Sequence, residues 1–220
     1  MSTELLIRRG SIQELLEPPV ELTGKVQVVL CEPTSPAVVV GSRQSEDLVS
    51  SRVGDIAAGN VVRRRSGGGA VLVHPERSIW VDVLAPVSLG RFGSDVRTGM
   101  IEVGQAWRQA LISLGADARE LTIHSTGMEL DEWGEVLCFS GLGPGEVLAG
   151  GLKLVGLSQR RTRSLLRFQC QVHREDPTDA LAELLDHRPP GLPSRPALLG
   201  MVLDPAVSAE ALARALAAAL

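Results

Sequence analysis

Three arginines followed by three glycines, Arg63-Arg64-Arg65-Ser66-Gly67-Gly68-Gly69, are suited by type and spacing to hold a charged ligand. Consecutive glycines carry no β-carbons, so a ligand can lie against the main chain and meet its N–H groups. The arginines add fixed positive charge at the mouth of the same turn. The natural guest is an anion, foremost a phosphate. A glycine-rich hairpin turn with solvated arginines at its edge would use the same residues, and both readings stay open. A second candidate is Lys153. Only Lys25 and Lys153 are lysines among the 22 basic residues. Where arginine serves almost everywhere else, a lysine inside Gly151-Leu152-Lys153-Leu154-Val155-Gly156 points to a need for a compact cation that reaches deep.

These residues need elements to present them. Val61 and Val62 lead into the arginines, and Ala70-Val71 leads on to Val73, which predicts strand, tight glycine turn, strand. Lys25–Cys31 and Ala37–Val40 read as strands separated by the turn-forming Glu32-Pro33-Thr34-Ser35-Pro36. Ser78–Leu84 reads as a core strand with Asp82 facing either solvent, the preferred reading, or the site. Val147–Ala149 and Lys153–Ser158 read as two strands about a Gly150-Gly151 turn. Residues 4–17 are expected to form a short helix stopped by Pro18-Pro19, and Ser45 to cap another beginning at Glu46-Asp47. Val96, Met100, Val103, Trp107, Ala110, Leu111 and Leu114 recur at helical spacing up to Gly115, with Trp107 as core. Residues 116–135 read as a long irregular connection with His124 on its surface or at a cap. Beyond Arg174 a helix with Leu181, Leu184 and Leu185 is broken by Pro189-Pro190. A proline-rich link (residues 191–196) then leads to an alanine-rich helix over 208–220.

Composition narrows the class. A net charge of −4 gives no global basic field, which argues against nucleic-acid and membrane partners and makes any anion site local. Cys31, Cys138 and Cys170 are odd in number, far apart and without a C-x-x-C pair, which predicts reduced thiols in a cytoplasmic protein and no zinc site. Met1-Ser2-Thr3-Glu4 lacks the basic-then-apolar order of a signal peptide, and no apolar run reaches the ~18 residues of a membrane span.

The run R-R-x-S-G-G-G-A-V at 63–71 resembles the signature of lipoate–protein ligases and their octanoyl- and lipoyl-transferase relatives. Downstream, Glu146, Lys153, Gly156, Ser158, Gln159, Arg160 and Arg161 fall on the family pattern of a glutamate, a lysine hairpin and K-[IL]-x-G-x-[AS]-Q-R-R. The likeness covers roughly residues 25–173. It departs at Gly41-Ser42-Arg43-Gln44, where the family carries G-R-x-Q, and at Val73-His74-Pro75-Glu76-Arg77, which replaces a His-Asp followed by Gly-Asn.

The resemblance implies an α+β fold, a mixed, largely antiparallel sheet packed with helices. Residues 1–190 would form the biotin/lipoate ligase-like catalytic domain and 191–220 a short link and helix without a full accessory domain. It implies a ligase that activates lipoate or octanoate with ATP and Mg2+ to an acyl-adenylate. The acyl group then passes to a lysine on a lipoyl domain of a 2-oxoacid dehydrogenase complex or on the glycine-cleavage H protein. Lys153 would be catalytic, stabilising charge at the α-phosphate and acyl carbonyl, a service worth ~3–4 kcal/mol from one preorganised donor. Arg64, Ser66, Gly67, Gly68, Gly69, Ala70, Val71, Gly156 and Ser158 would bind substrate, with Gln44, His74, Arg160 and Arg161 near them. Arg160, Arg161 and Arg163 would clamp phosphate, blunt a sheet edge or dock an acidic carrier domain. Two alternatives stand beside the ligase. Cys138, followed by Phe139, sits where transferases of the superfamily form an acyl-thioester without ATP, although it is also suited to core packing. The other is a silent relative that binds acyl groups or adenylates without turnover.

Overall fold

Runs of β-branched residues build two sheets, and the burial of alternate side chains decides how the sheets stack. The computed structural model describes residues 3–18, 23–49 and 60–220. Its strands are β1 (Glu4–Gly10), β2 (Gln27–Pro33), β3 (Ala37–Val40), β4 (Val61–Arg63), β5 (Val71–Val73), β6 (Ser78–Pro86), β7 (Leu121–Ile123), β8 (Val147–Ala149), β9 (Leu152–Arg161) and β10 (Leu165–His173). Helices are α1 (Ile12–Leu16), α2 (Val96–Ser113), α3 (Glu132–Val136), α4 (Thr178–Glu183), α5 (Leu199–Val202) and α6 (Ala209–Ala219). The large sheet has the order β1-β2-β6-β10-β9-β8-β7, and β1–β2 is its one parallel pair. The small sheet has the order β4-β3-β5. This is the mixed, largely antiparallel α+β architecture expected from the resemblance.

Every residue of β6 is buried, because the strand is covered on both faces. Ile79, Val81, Val83 and Ala85 enter the core beneath α2 and α6, where Trp107 and Phe168 are fully buried. Each such large side chain contributes ~1.5–3 kcal/mol. Trp80 and Leu84 face the other way, onto Ala37, Val39, Val71 and Val73 of the small sheet and Ile12 and Leu15 of α1. The outer face of the small sheet (Val38, Val40, Ala70, Leu72) is covered by Trp133 of α3 and by Leu181 and Ala182 of α4. Four layers result: helices, large sheet, small sheet, helices. The last two helices belong to the first layer, since Leu199, Leu212 and Leu216 share the core of Trp107.

Several sequence-based expectations change. Residues 4–10 are a strand and only 12–16 are helical. Leu5 and Leu6 turn to opposite cores, a period of two, and the helix starts where Ser11 and Glu14 form a capping box. The glycine run does not close a hairpin. β4 and β5 flank β3 on opposite sides, parallel and antiparallel to it, so the loop crosses over the end of β3. Residues 116–135 contain β7 and α3, and His124 is buried, with Nε2 2.7 Å from the Gly127 carbonyl oxygen. The helix begun at Ser45 is a single 3-10 turn, Glu46–Leu48; residues 50–59 lie outside the described set. The Gly150-Gly151 turn is as expected, both residues having positive φ (57° and 82°), the requirement of a two-residue hairpin turn.

Candidate active site

A cleft of about 460 Å³, its open mouth included, lies between the two sheets. Its walls are Val39, Val71 and Val73 of the small sheet, Trp80, Gln169 and Gln171 of the large sheet, and Gly156 and Ser158 of β9. Arg64, Cys138, Phe139, Leu16, Leu157 and Cys170 complete them. The lining is mostly apolar with a few polar side chains, which suits a small apolar molecule with a polar head.

The glycine loop roofs one side. Arg64 is 5 % exposed and directs its donors inward: Nε and Nη2 to the Gly67 carbonyl (3.2 and 2.8 Å), Nη2 to that of Gly69 (2.8 Å) and Nη1 to that of Val39 (3.2 Å). The guanidinium thus gathers the carbonyls of the loop. The N–H groups of Gly67, Gly68 and Gly69 have no hydrogen-bond partner among the described residues, which leaves donors for an anion. Its neighbours are occupied elsewhere, Arg63 with Glu46 at 3.5 Å and Arg65 with Glu17 at 2.7 Å. The glycines serve close approach. A β-carbon at Gly41 would stand 1.9 Å from the Gly68 oxygen, and one at Gly69 would stand 2.7 Å from the Cys138 nitrogen, whereas one at Gly67 would meet nothing. Ser66 is pinned beneath the loop, its Oγ 3.1 Å from that of Ser158 and donating to Gln169 Oε1 at 3.0 Å.

One further segment joins the loop to the lysine. Ala70 N–H donates to the Val136 carbonyl (2.7 Å) and Cys138 N–H to that of Ala70 (2.9 Å). Gln44 accepts from Gly41 N–H at 2.9 Å and donates to the same Val136 carbonyl at 2.9 Å, tying the end of β3 to this segment. From the other side Lys153 Nζ donates to the Cys138 carbonyl at 2.6 Å and pairs with Glu146 at 2.8 Å. Lysine and glutamate are each 3 % exposed. The ammonium also stands 5.5 Å from the centre of the Phe139 ring, a cation–π distance. Glycine loop and lysine therefore meet on one residue of main chain, Cys138, whose side chain lines the cleft. Burial pushes the Glu146 carboxyl up, against the opposing pull of Lys153 and two backbone N–H groups, those of Gly143 and Leu157.

The remaining predicted residues divide, Gly156 and Ser158 lining the cleft and others leaving it. Gly156 lies under Phe139, where a β-carbon would come within 2.9 Å of the ring. His74 is outside the cleft: it accepts from Glu76 and Arg77 N–H and lines a smaller pocket with His173. The two arginines of β9 diverge. Arg160 follows Gly156 and Ser158 on the cleft side by the strand period of two, and Arg161 donates to the Gly93 carbonyl at 2.6 Å on the helix side. Asp82, expected in solvent, is 1 % exposed and pairs with Arg167 at 2.5 Å. It faces the inner layer, where the small sheet and α1 exclude water. Burial raises its pKa, with Arg167 and the Trp80 indole opposing.

Sequence reading gave Glu146 no role and missed Trp80, Phe139, Gln169 and Gln171. One signal for Glu146 was available: a buried lysine on a hairpin needs a carboxylate. Glu146 stands two residues before Leu148, the register partner of Lys153. The polar cleft residues of β10 carried only the alternation Arg167-Phe168-Gln169-Cys170-Gln171-Val172, which marks a polar face without showing that a cleft lies on it.

Comparisons with known proteins agree with this architecture. Residues 13–220 match the family model of the lipoyl protein ligase A/B catalytic domain. A bi-partite lipoate protein ligase of Thermoplasma acidophilum superposes with a TM-score of 0.70 at 18 % identity, over 100 % of this chain and 82 % of that one. A lipoate-protein ligase A bound with ATP gives 0.70 at 19 % identity, over 98 % and 83 %. The biotin protein ligase of Leishmania major in complex with biotin gives 0.51 at 13 % identity, over 98 % and 72 %. At these identities the structural likeness speaks for the fold. Among curated proteins none matches the sequence.

Proposed function

The chain belongs to the lipoyl protein ligase A/B catalytic-domain family, and we propose that it attaches a lipoyl or octanoyl group to a lysine of a lipoyl domain by way of an acyl-adenylate. The observation that carries this is the meeting of the glycine loop and Lys153 on the Cys138 peptide, at one end of an apolar cleft. An acyl chain lies in the cleft with its carboxylate at that end. The free N–H groups of Gly67–Gly69 receive the α-phosphate, and Lys153, freed in part from Glu146, steadies charge between phosphate and acyl carbonyl. Attack of carboxylate oxygen on the α-phosphorus expels pyrophosphate; the acceptor lysine then attacks the acyl carbon and expels AMP. Mg2+ would arrive with the phosphates of ATP. The ATP bound to one structural neighbour and the E2 lipoyl domain named with another support both ligand and acceptor. The acceptor would be a 2-oxoacid dehydrogenase subunit or the glycine-cleavage H protein. Among the described residues no helix is long and apolar enough to cross a membrane.

One observation favours a second route. Cys138 is the thiol at the head of the cleft, and a β-carbon on Gly68 would lie 3.8 Å from its sulfur. Its thiolate would attack a carrier-bound octanoyl thioester, release the carrier thiol and pass the acyl group to the lysine without ATP. Intact mass spectrometry of an apo lipoyl domain separates the routes. Acylation from lipoate and Mg-ATP with pyrophosphate release supports the ligase. Acylation from octanoyl carrier without ATP, with an acyl adduct lost in Cys138→Ala, supports the transferase. Acylation under neither condition overturns both and leaves a silent binding relative.

A further inference from the structure

The cleft crosses strands instead of running along one. In the sheet order β6-β10-β9 its floor passes from Trp80 on β6, through Gln169 and Gln171 on β10, to Gly156 and Ser158 on β9. The β9 end is the head, where Cys138 and Lys153 meet. At the β6 end the cleft is lined by Trp80 and by Leu16, the last residue of α1.

The geometry points to a length ruler: Trp80 and Leu16 are the end stop that selects the acyl chain, and the buried pair Asp82–Arg167 holds both stops in place. The Trp80 indole N–H donates to Asp82 Oδ1 at 2.7 Å. Arg167 Nε donates to Asp82 Oδ2 at 2.8 Å, Nη2 to the Leu15 carbonyl at 2.6 Å and Nη1 to the Leu16 carbonyl. One guanidinium therefore fixes the main chain under one stop and, through Asp82, the ring of the other. Neither charged residue lines the cleft, so both are positioning residues. A buried ion pair is rarely retained for stability alone, since an apolar pair of the same volume often does as well; setting the geometry of two wall residues gives this one a use. Two inter-strand spacings of about 4.8 Å separate β6 from β9, a distance spanned by an extended chain of about eight carbons.

The inference rests on the acyl reading of the cleft, and its test keeps the two apart. Calorimetric titration of the full chain with hexanoate, octanoate, decanoate and dodecanoate should show an optimum near octanoate. In Trp80→Ala and Leu16→Ala the optimum should move to longer chains. Each newly buried methylene favours binding about fourfold, so the decanoate-to-octanoate ratio should rise about fifteenfold. Arg167→Lys, which cannot hold Asp82 and both carbonyls together, should flatten the length preference without moving its optimum. Leu16 is half-buried at a helix end, so Leu16→Ala keeps the test open if Trp80→Ala fails to fold. Should the wild type bind none of the four acids, the acyl reading falls. Should it prefer octanoate while folded Leu16→Ala and Arg167→Lys keep the same preference, the ruler falls and the acyl reading stands.

Discussion

Two ion pairs are buried against the same cleft, and they are built for different work. Lys153–Glu146 sits at its head with both partners 3 % exposed, and Arg167–Asp82 sits behind its far end at 6 % and 1 %. Removing either pair from water costs several kcal/mol per ion before any attraction is counted. Arg167 holds a planar fork on three acceptors from two elements, Asp82 and the carbonyls that end α1, so its position is fixed. Lys153 holds one carboxylate and one carbonyl on a flexible stem, and Glu146 keeps two backbone N–H donors if the ammonium turns away. The far pair is architecture. The head pair can release its cation toward a substrate.

The largest expected effect tests that contrast through stability. Arg167→Met strands Asp82 and the Leu15 and Leu16 carbonyls, and should cost ~3–5 kcal/mol in urea unfolding. Lys153→Met leaves a carboxyl that burial already pushes toward its neutral form and that two N–H groups still hold, so its cost should be clearly smaller. Equal costs would erase the distinction. Next comes activity. Lys153→Ala should lower acyl transfer to a lipoyl domain by ~3–4 kcal/mol in transition-state stabilisation, a hundredfold or more in kcat; unchanged turnover would remove the lysine from the chemistry.

A third expectation concerns the head end alone. His173 packs edge-on against Phe139, 4.4 Å between centroids, on the same ring that Lys153 approaches. Burial lowers its pKa from 6.5 to about 4. On acidification the unfolded chain takes up this proton first, so the stability is present above about pH 6.5 and drains as pH falls toward 4. Between pH 7 and 5 the loss should be about 2 kcal/mol. Burial raises the Asp82 and Glu146 pKa values from 3.8 and 4.5, which gives a slope of opposite sign above those ordinary values, overlapping the His173 window. The readout is therefore the difference between wild type and His173→Gln, and parallel pH profiles would count against it. The smallest effect separates two neighbouring glycines. Gly69→Ala meets the Cys138 main chain and should cost ~1–3 kcal/mol by overpacking, whereas Gly67→Ala meets nothing. It should leave thermal stability unchanged while weakening adenylate binding.

Local order carried much of this into the sequence. The period of residues 96–114 specified α2 and its buried Trp107, and the Gly150-Gly151 turn specified the lysine hairpin, because both depend on neighbours within one or two turns of chain. The rarity of lysine singled out Lys153, and the arginine–glycine run singled out the loop. What Arg64 does with its charge was not legible. A guanidinium beside three glycines reads as an anion clamp until β3 is seen to run under the loop and the carbonyls of Val39, Gly67 and Gly69 are found to use its donors. Asp82 failed for a related reason. Alternation placed it on the face opposite Val81 and Val83, but that face is solvent only if nothing covers it, and α1 and the small sheet come from elsewhere in the chain. The sequence by itself determined which residue types were available and which short segments would be helix, strand or turn, since those follow from propensity and period. Only the tertiary structure decided which charges are paired, which face of each strand is dry, and where the cleft begins and ends. Those depend on contacts between residues as far apart as Leu15 and Arg167, whose meeting no local pattern encodes.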